Sequence, residues 1–517
     1  MTVLKHLPSA ALSAFFFACS ATALHAADVK PKGYNTRIPV DVLTPDRVKT
    51  RIGTFNYFDG FPDDATMRKA RRQVDLGRGV QTFLNFLPAA SLEMLYVGHR
   101  DDYGLRTNRD IGLFEDLMSS DSLWLTGNTD TVYASAFIDV SAGPIVVEVP
   151  AGTGPGTVND AFFRFVIDMG GPGPDKGRGG KYLILGPGQS PPADAGNYYV
   201  ARTPSLINWV ILRGFLDAQG STETAKNAFK RDLKIYPYAQ RSNPASNQYV
   251  NLTGSNVNTI HANNFKFYEE LNDVIQREPS EMFSPELLGM ASSIGIQKGK
   301  PFNPSPERKA LLTEAVATGN AIARSILFAP QDPKAYIYPG KAGYWQTGFP
   351  GGSHEYLVNG GNGGRDMDGR TLFFYLATVN TPAMALEIPG VGSQYAFSSR
   401  DSAGAYLDGG KSYKLTIPAN PPAQRFWSFV VYDPQTRSML QSDAMPYPSK
   451  NNKRNTDMVE NADGSITLYF GPQAPAGKEA NWVKTVPGKG WFGIFRLYGP
   501  GQEWFDRTWK LGAIEQL

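Results

Sequence analysis

The chain has 517 residues, enough for two to four domains of about 100–200 residues with buried cores of their own. Its 51 lysine and arginine residues nearly balance 48 aspartate and glutamate residues and are interspersed with them, which excludes a dedicated nucleic-acid binder. A single cysteine excludes both a disulfide framework and a cysteine-based metal site.

The first residues have the pattern of an export signal. After a lysine, a mainly apolar run covers residues 7–24, and the small residues Ala26 and Ala27 offer a cleavage site. We therefore predict a signal peptide over residues 1–26, export to the periplasm, and a mature protein without a transmembrane span. Cys19 lies in this segment, so the mature chain is expected to lack cysteine; a lipoprotein anchored through Cys19 is the alternative.

Residues 27–255 are predicted to form a strand-rich domain with flanking helices. Apolar residues recur at helical spacing over residues 64–86, and Pro88 is expected to break the helix before a second helical piece at 89–97.

Strand signals follow in the same domain. Residues 131–139 and 145–150 alternate as strands, and the small, turn-forming residues 141–144 between them predict a β-hairpin. A glycine-rich loop then precedes another predicted strand at residues 181–185.

Residues 256–329 are predicted to be a helical connector. Apolar side chains recur at three- and four-residue spacing near Phe265 and again beyond Leu311. The segment Asn-Pro-Ser-Pro at residues 303–306 separates the two helical stretches.

Residues 330–517 are predicted to form a C-terminal antiparallel, jelly-roll-like β-sandwich. Its strands are divided by glycine and proline turns, without intervening helices, and cover residues 411–417, 425–433, 465–470 and 491–497. The last strand is apolar on both faces, so we predict that it lies centrally between two layers. One face would carry Trp491, Gly493, Phe495 and Leu497, and the other Phe492, Ile494, Arg496 and Tyr498. The chain as a whole is thus predicted to be a multidomain α+β protein.

Five segments together carry a family resemblance. They are NTDTVY at 128–133, GKYLILGP at 180–187, RFWSFVVYD at 425–433, GSITLYF at 464–470 and the closing segment 481–517. In this order they resemble the exported bacterial two-domain family of unknown function, in which a DUF1254 domain precedes a DUF1214 domain. The resemblance implies a mixed N-terminal domain, a helical connection and a C-terminal jelly-roll-like sandwich, and it allows for a homo-oligomer. It implies no established activity and no catalytic residues.

The segment from Asn128 to Tyr133 is the leading candidate for a functional site. In an extended chain Asn128 and Asp130 share one face, so that an amide and a carboxylate project together beside the sheet. Asp130 would act as a general base or bind a sugar hydroxyl, and Tyr133 would donate a proton or stack on a ring. The alternative is local: Asn128 and Asp130 hold a turn by side-chain to backbone hydrogen bonds, and Tyr133 packs.

Other catalytic and metal-binding patterns are weak. His99, His261 and His354 lack metal-ligand spacing; His99 and His354 suit surface or supporting positions and His261 a structural one. No Gly-x-Ser-x-Gly sequence is present. The glycine-rich loop up to Asp366 and Asp368 resembles a calcium loop without its distal glutamate, so calcium binding there stays open. We predict no metal site and no cofactor.

Two functions are compatible with these patterns. The first is an exported protein of the cell envelope that binds a small polar or amphipathic ligand, a saccharide or lipid fragment, between its domains. The second is a hydrolase or lyase that uses Asp130 and Tyr133. The sequence does not decide whether the protein is an enzyme. A pocket that holds both residues and another titratable group would favour catalysis.

Overall fold

The structure, a computed structural model, describes residues 38–517. The predicted signal peptide over residues 1–26, with Cys19, therefore lies outside the described residues. The chain divides into two compact units, one up to Asp75 and the other Leu76–Leu517.

The first unit carries a small antiparallel sheet and the start of the first helix. The sheet consists of β1 (Arg47–Thr50), β2 (Gly53–Phe58) and β3 (Phe61–Pro62), in that order. Helix α1 (Asp64–Val97) follows, and Asp63 caps it because its Oδ1 accepts the backbone N–H of Thr66 at 2.7 Å.

Helix α1 runs through Pro88 without the predicted break, so that prediction is wrong. A proline inside a helix costs about 3 kcal/mol. The flanking residues Phe86, Leu87 and Ala89 are fully buried, and burying one large apolar side chain contributes about 1.5–3 kcal/mol. The packing of this stretch therefore offsets the lost backbone hydrogen bond.

The second unit contains the remaining helices. They are α2 (Glu223–Asp232), α3 (Lys266–Arg277), α4 (Pro285–Ser293), α5 (Pro306–Phe328), α6 (Met367–Leu376), α7 (Pro382–Ala385) and α8 (Gln502–Phe505). Helices α3 to α5 fall in the stretch predicted to be helical, and Ser305 starts α5 by accepting the Arg308 N–H at 3.3 Å. Across residues 38–517, each helix is too short or too polar to cross a membrane.

Two sheets form the strand-rich part that begins at residue 110. Their strands are β4 (Asp110–Leu113), β5 (Thr131–Asp139), β6 (Ile145–Val149), β7 (Pro155–Asp160), β8 (Phe165–Gly170), β9 (Gly180–Leu185), β10 (Tyr199–Arg202), β11 (Ile207–Phe215), β12 (Lys234–Pro237) and β13 (Gln248–Asn251). The six-stranded sheet has the order β13-β4-β5-β11-β7-β8, and the four-stranded sheet the order β10-β9-β6-β12. Valine, isoleucine and leucine side chains from both sheets share one core cluster.

Strands β5 and β6 do not form the predicted hairpin. Strand β5 pairs with β4 and β11, whereas β6 pairs with β9 and β12 in the other sheet. Nearly all of β5 is buried on both faces, so it lies in the middle of its sheet with both edges occupied. Residues 140–144 therefore carry the chain from one sheet to the other rather than back along the same one.

The C-terminal part contains two further four-stranded sheets. Their strands are β14 (Ser393–Ser398), β15 (Tyr413–Ile417), β16 (Ala423–Tyr432), β17 (Ser449–Asn451), β18 (Ile466–Gly471), β19 (Trp482–Lys484), β20 (Phe492–Pro500) and β21 (Ile514–Gln516). The strand orders are β14-β20-β16-β17 and β19-β18-β15-β21, and only β18 with β19 is a parallel pair among these strands. Both sheets contribute to one core cluster, and no sheet in residues 38–517 closes into a barrel. The protein is thus of the mixed α+β class.

Strand β20 lies between β14 and β16 and is buried along its whole length, as predicted. Phe495 and Leu497 point into the C-terminal core, whereas Phe492 and Ile494 join the larger core built with α1, α3, α5 and α6. The sheet that contains β20 is therefore covered on both faces, because alternate side chains serve two different cores.

The close packing of β20 predicts a strong effect at Gly493. A β-carbon there would lie 2.1 Å from Cζ of Phe429. We expect Gly493→Ala to lower the free energy of unfolding by about 1–3 kcal/mol through overpacking. Chemical denaturation measures this change.

The matched control is Gly289→Ala in α4, where no heavy atom lies within 4 Å of the added β-carbon. Alanine favours a helix by about 1 kcal/mol over glycine, so this variant should be as stable as the parent or more so. Equal stability of both variants would contradict the packing described for β20.

Candidate functional site

The Asn128 to Asp130 segment forms a bend immediately before β5 rather than an extended strand. The Asn128 Oδ1 atom accepts the backbone N–H of Asp130 at 2.9 Å, as in the local alternative considered from the sequence. Its Nδ2 group donates to the hydroxyl oxygen of Tyr133. Asn128 and Asp130 therefore do not project together, because the bend turns the two side chains toward different partners.

Asp130 is fully buried and contacts the C-terminal sheet. Its carboxylate accepts hydrogen bonds from Ser428 Oγ at 2.5 Å, Asn451 Nδ2 at 3.0 Å and Tyr498 Oη at 3.0 Å. These donors come from β16, β17 and β20, and the neighbouring Thr129 Oγ1 lies 2.6 Å from Ser449 Oγ. Asp130 thus ties the start of β5 to three adjacent strands that lie 298–368 residues away in sequence.

Tyr498 remains a hydrogen-bond donor in this cluster. Burial, and then the negative charge of Asp130, hold the pKa of the Tyr498 hydroxyl well above its ordinary value of 10. The hydroxyl therefore keeps its proton and donates a hydrogen bond to the Asp130 carboxylate.

A cavity of about 70 Å³, here called the inner cavity, lies beside this cluster between β5, β11, α6, β14 and β20. Its wall is largely apolar and includes Trp124, Trp209, Ile211, Phe373, Leu376 and Met384. A few longer polar side chains also reach it: Asn128, Tyr133, Arg213, Tyr395 and Arg496. Asp130 is not among the residues that line the inner cavity, so the two residues of the predicted catalytic pair do not meet there.

Arg496 is one of two buried cations in the wall. It is 3% exposed, and its Nη2 donates to the Thr126 carbonyl oxygen at 3.0 Å, whereas Nη1 has no hydrogen-bond partner among the described residues. Its guanidinium carbon lies 5.8 Å from the ring centre of Tyr395 and 5.5 Å from that of Tyr432. Burial lowers the pKa of Arg496, but the nearby Tyr432, Tyr498 and Asp130 raise it by a larger amount. The net pKa lies above the ordinary value of arginine, so the side chain stays charged.

Arg213, on β11, is the second buried cation. It is 9% exposed, and its guanidinium carbon lies 5.6 Å from the ring centre of Tyr133. Across residues 38–517, neither Arg213 nor Arg496 has a carboxylate within ion-pair distance. The wall of an otherwise apolar cavity therefore carries two positive charges.

Asp168 lies near Arg213 at an adjoining small cavity that Arg213 and Tyr395 also line. Its Oδ1 accepts a hydrogen bond from Thr381 Oγ1 at 2.7 Å. Burial raises the pKa of Asp168 to about 6, although Thr381 and Arg213 act in the opposite direction.

A larger outer cavity of about 350 Å³ shares Phe349 and Tyr395 with the inner one. Its remaining wall is more polar and includes Lys334, Glu387 and Arg507. The side chains of Phe349 and Tyr395 therefore separate an outer, polar space from the inner, apolar one.

The histidines lie apart from the inner cavity. His99 was expected at the surface or in a supporting position; it is buried, with Nδ1 at 2.7 Å from the Leu95 carbonyl oxygen and Nε2 at 2.7 Å from Ser135 Oγ. Burial lowers the pKa of His99 to about 4, so the ring is neutral at pH 7. His261 is also buried, in agreement with a structural position.

No group of three or more histidine, cysteine, aspartate or glutamate side chains in residues 38–517 is arranged to hold a metal ion. In the loop considered for calcium, Asp366 caps α6 because its Oδ1 accepts the Gly369 N–H at 2.8 Å. Burial raises the pKa of Asp368, and the neighbouring negative charge of Asp366 raises it further.

Sequence reasoning identified Tyr133 but missed Arg213 and Arg496. Each is the lone charged residue inside a mostly apolar nine-residue strand, INWVILRGF for β11 and FGIFRLYGP for β20. A charged side chain is almost never fully buried unless it is paired. That rule is the signal that points to both arginines.

Two known domain families match the chain. Protein of unknown function (DUF1254) matches residues 110–237, and Protein of unknown function (DUF1214) matches residues 392–502. The two matches occur along the chain in this order. The predicted pairing is thereby confirmed, and both matches name domains whose function is unknown. Tyr133 and Arg213 belong to the first match and Tyr395 and Arg496 to the second, so both family domains build the inner cavity.

The chain is also similar to solved structures. The crystal structure of the VPA0106 protein from Vibrio parahaemolyticus has 17% sequence identity and a TM-score of 0.51, covering 86% of this chain and 100% of its own. This similarity shows a shared fold. An uncharacterised protein from Burkholderia cenocepacia has 12% identity and a TM-score of 0.36, covering 87% of this chain and 96% of its own. No curated protein matches the chain.

The contacts of Asp130 predict a large effect on stability. Asp130→Ala leaves three buried donors without an acceptor and removes the carboxylate near Arg496, so we expect a loss of about 3–5 kcal/mol in the free energy of unfolding. Tyr133→Phe is the control, since it removes one hydrogen-bond acceptor and should cost only about 1 kcal/mol. Equal losses in urea denaturation would contradict the linking role of Asp130.

The raised pKa of Asp168 predicts a pH-dependent contribution to stability. Between the ordinary pKa of 3.8 and the folded-state value of about 6, the unfolded chain loses this proton while the folded protein keeps it. The contribution of Asp168 is therefore present at low pH and falls as pH rises, by at most about 3 kcal/mol.

The measurement compares the parent protein with Asp168→Asn between pH 4 and pH 7, where the parent should lose stability relative to the variant. Asp443→Asn is the control, because a side-chain hydrogen bond from Lys484 lowers the pKa of Asp443, so that this carboxyl titrates below the measured range and its stability difference should stay nearly flat. If the difference in unfolding free energy between the parent and Asp168→Asn does not change with pH, the Asp168 carboxyl has the same pKa in the folded and unfolded states.

Proposed function

We propose that the protein is an exported binding protein that holds a small amphipathic ligand in the inner cavity. The observation that carries this proposal is the cavity itself, which has an apolar wall, a few convergent polar groups and contributions from both matched domains. Pockets of small-molecule binding proteins have this composition and often lie between domains.

The wall favours an amphipathic ligand over a saccharide. A sugar requires a hydrogen-bond partner for each of several hydroxyl groups, whereas rings and aliphatic chains such as Phe373, Leu376 and Met384 dominate the inner cavity. The few polar side chains of the wall, from β5, β11, β14, β20 and the segment before β5, suit a ligand with one polar group.

The alternative of a hydrolase or lyase receives less support. Tyr133 lines the inner cavity, but the carboxylate of Asp130 is turned to Ser428, Asn451 and Tyr498. A general base has to lie within hydrogen-bond reach of the proton it abstracts. We therefore propose binding rather than catalysis by this pair.

The cellular location and the fine fold of the C-terminal part belong to the same proposal. Export to the periplasm is supported by the signal-like sequence of residues 1–26, and the lipoprotein through Cys19 stays the alternative. A jelly-roll-like sandwich is supported by the two sheets that share one core. A homo-oligomer stays an expectation from the family resemblance.

A ligand panel tests the proposed function. Neutral and anionic amphiphiles of three to eight carbon atoms should raise the melting temperature, because a ligand at 100 times its Kd adds about 2.7 kcal/mol to the folded state. Leu376→Phe adds volume inside the inner cavity and should abolish the shift.

The control is Leu372→Phe, one helical turn earlier in α6, at a buried position that does not line the inner cavity. This variant should lose stability through overpacking by about 1–3 kcal/mol but keep the ligand-induced shift. If the parent shows no shift with any amphiphile, the proposed function is wrong.

A further inference from the structure

We propose that the inner cavity recognises a small monocarboxylate, whose carboxylate binds Arg496, Arg213 and Tyr133 and whose short apolar chain lies against Phe373, Leu376 and Met384. This inference rests on the proposed function and specifies its ligand. It depends on the charge, the free hydrogen-bonding groups and the size of the inner cavity.

The inner cavity has two buried cations in its wall, and no carboxylate is among the described residues that line it. Within residues 38–517, neither Arg213 nor Arg496 lies within ion-pair distance of a carboxylate. Asp168 and Asp130 act on them only from a longer distance, and both carboxylates already accept hydrogen bonds from other side chains. A buried cation without a paired anion is costly, so a bound monoanion would supply the missing partner.

The wall of the inner cavity also carries hydrogen-bond donors that have no acceptor among the described residues. Arg496 Nη1 is buried, has no hydrogen-bond partner among residues 38–517, and belongs to a side chain that lines the cavity. The Tyr133 oxygen accepts from Asn128, and its own hydroxyl hydrogen has no acceptor in the described part of the chain. Arg213 lies beside the same phenol. Two guanidinium groups and one hydroxyl are the donors that a carboxylate prefers.

The volume of the inner cavity limits the length of the ligand's apolar chain. It is about 70 Å³, about half of the 150 Å³ in which an engineered apolar cavity holds benzene, so an apolar chain of about three carbon atoms fits. The alkyl chain of butyrate has this length, and its carboxylate would lie against the arginines. Butyrate carries a single negative charge and no further polar group, so it is a suitable probe.

The test measures binding of butyrate to the purified protein by isothermal titration calorimetry, with butyramide as the neutral analogue of the same shape. Replacing a charged hydrogen bond by a neutral one should weaken binding about ten-fold or more. Sodium chloride keeps the ionic strength equal in both titrations. Acetate and hexanoate bracket the expected chain length, and both should bind more weakly than butyrate.

Two variants test the assigned donors. Arg213→Gln and Tyr133→Phe should each reduce the affinity for butyrate, by about ten-fold for the arginine, and should bring butyrate close to butyramide. Arg425→Gln is the matched control, because Arg425 is exposed and lies over the ring of Phe215 away from the cavity wall. Arg496→Gln is a weaker test, since Arg496 also holds the Thr126 carbonyl oxygen and its loss affects folding.

The outcomes separate the two proposals. Butyrate binding that exceeds butyramide binding and is lost in Arg213→Gln supports the carboxylate site. Equal binding of both compounds, blocked by Leu376→Phe, overturns carboxylate recognition but leaves the proposed function intact. Binding that survives Arg213→Gln, Tyr133→Phe and Leu376→Phe places the ligand elsewhere and overturns the inference. No binding of any acid, amide or alcohol in the panel overturns both.

Discussion

The fully desolvated carboxylate of Asp130 is the constraint on which the rest of the second unit depends. A buried carboxylate is tolerated only when hydrogen bonds and nearby cations replace the water it has lost. Ser428, Asn451 and Tyr498 supply these hydrogen bonds together, and each comes from a different strand of one sheet. The two family domains can therefore adopt only a narrow range of relative positions, and the inner cavity takes its shape from that arrangement.

The sheet β14-β20-β16-β17 joins the two domains because both of its faces are used. One face of β20 and β16 packs aromatic and aliphatic side chains into the C-terminal core. The other face presents Ser428, Tyr498 and Arg496 toward the N-terminal strands. The polar contacts between the two domains concentrate around Asp130. Large aromatic rings and guanidinium groups with few hydrogen-bond partners line the space next to these contacts. An apolar cavity with two positive charges in its wall is the result.

Much of the secondary structure could be predicted, because it follows from local periodicity. The continuous burial of β20 was visible in its two apolar faces, and the helices between residues 261 and 328 in their three- and four-residue spacing. The errors share one cause. The expected break at Pro88 and the expected hairpin of residues 131–150 are both inferred from local sequence, and packing with distant residues overrides both. Helix α1 tolerates Pro88 because this stretch is buried, and β5 and β6 lie in two different sheets.

The sequence by itself determined the domain pair and the α+β class, and it proposed the segment from Asn128 to Tyr133 as a candidate site. Only the tertiary structure decided that Asp130 turns to the C-terminal sheet while Tyr133 reaches a cavity with Arg213 and Arg496. The physical reason is that strand alternation fixes which residues share a face of one strand, but not which distant strand covers that face. The partners of a buried charge are set by the docking of whole domains, and no spacing within the chain encodes them.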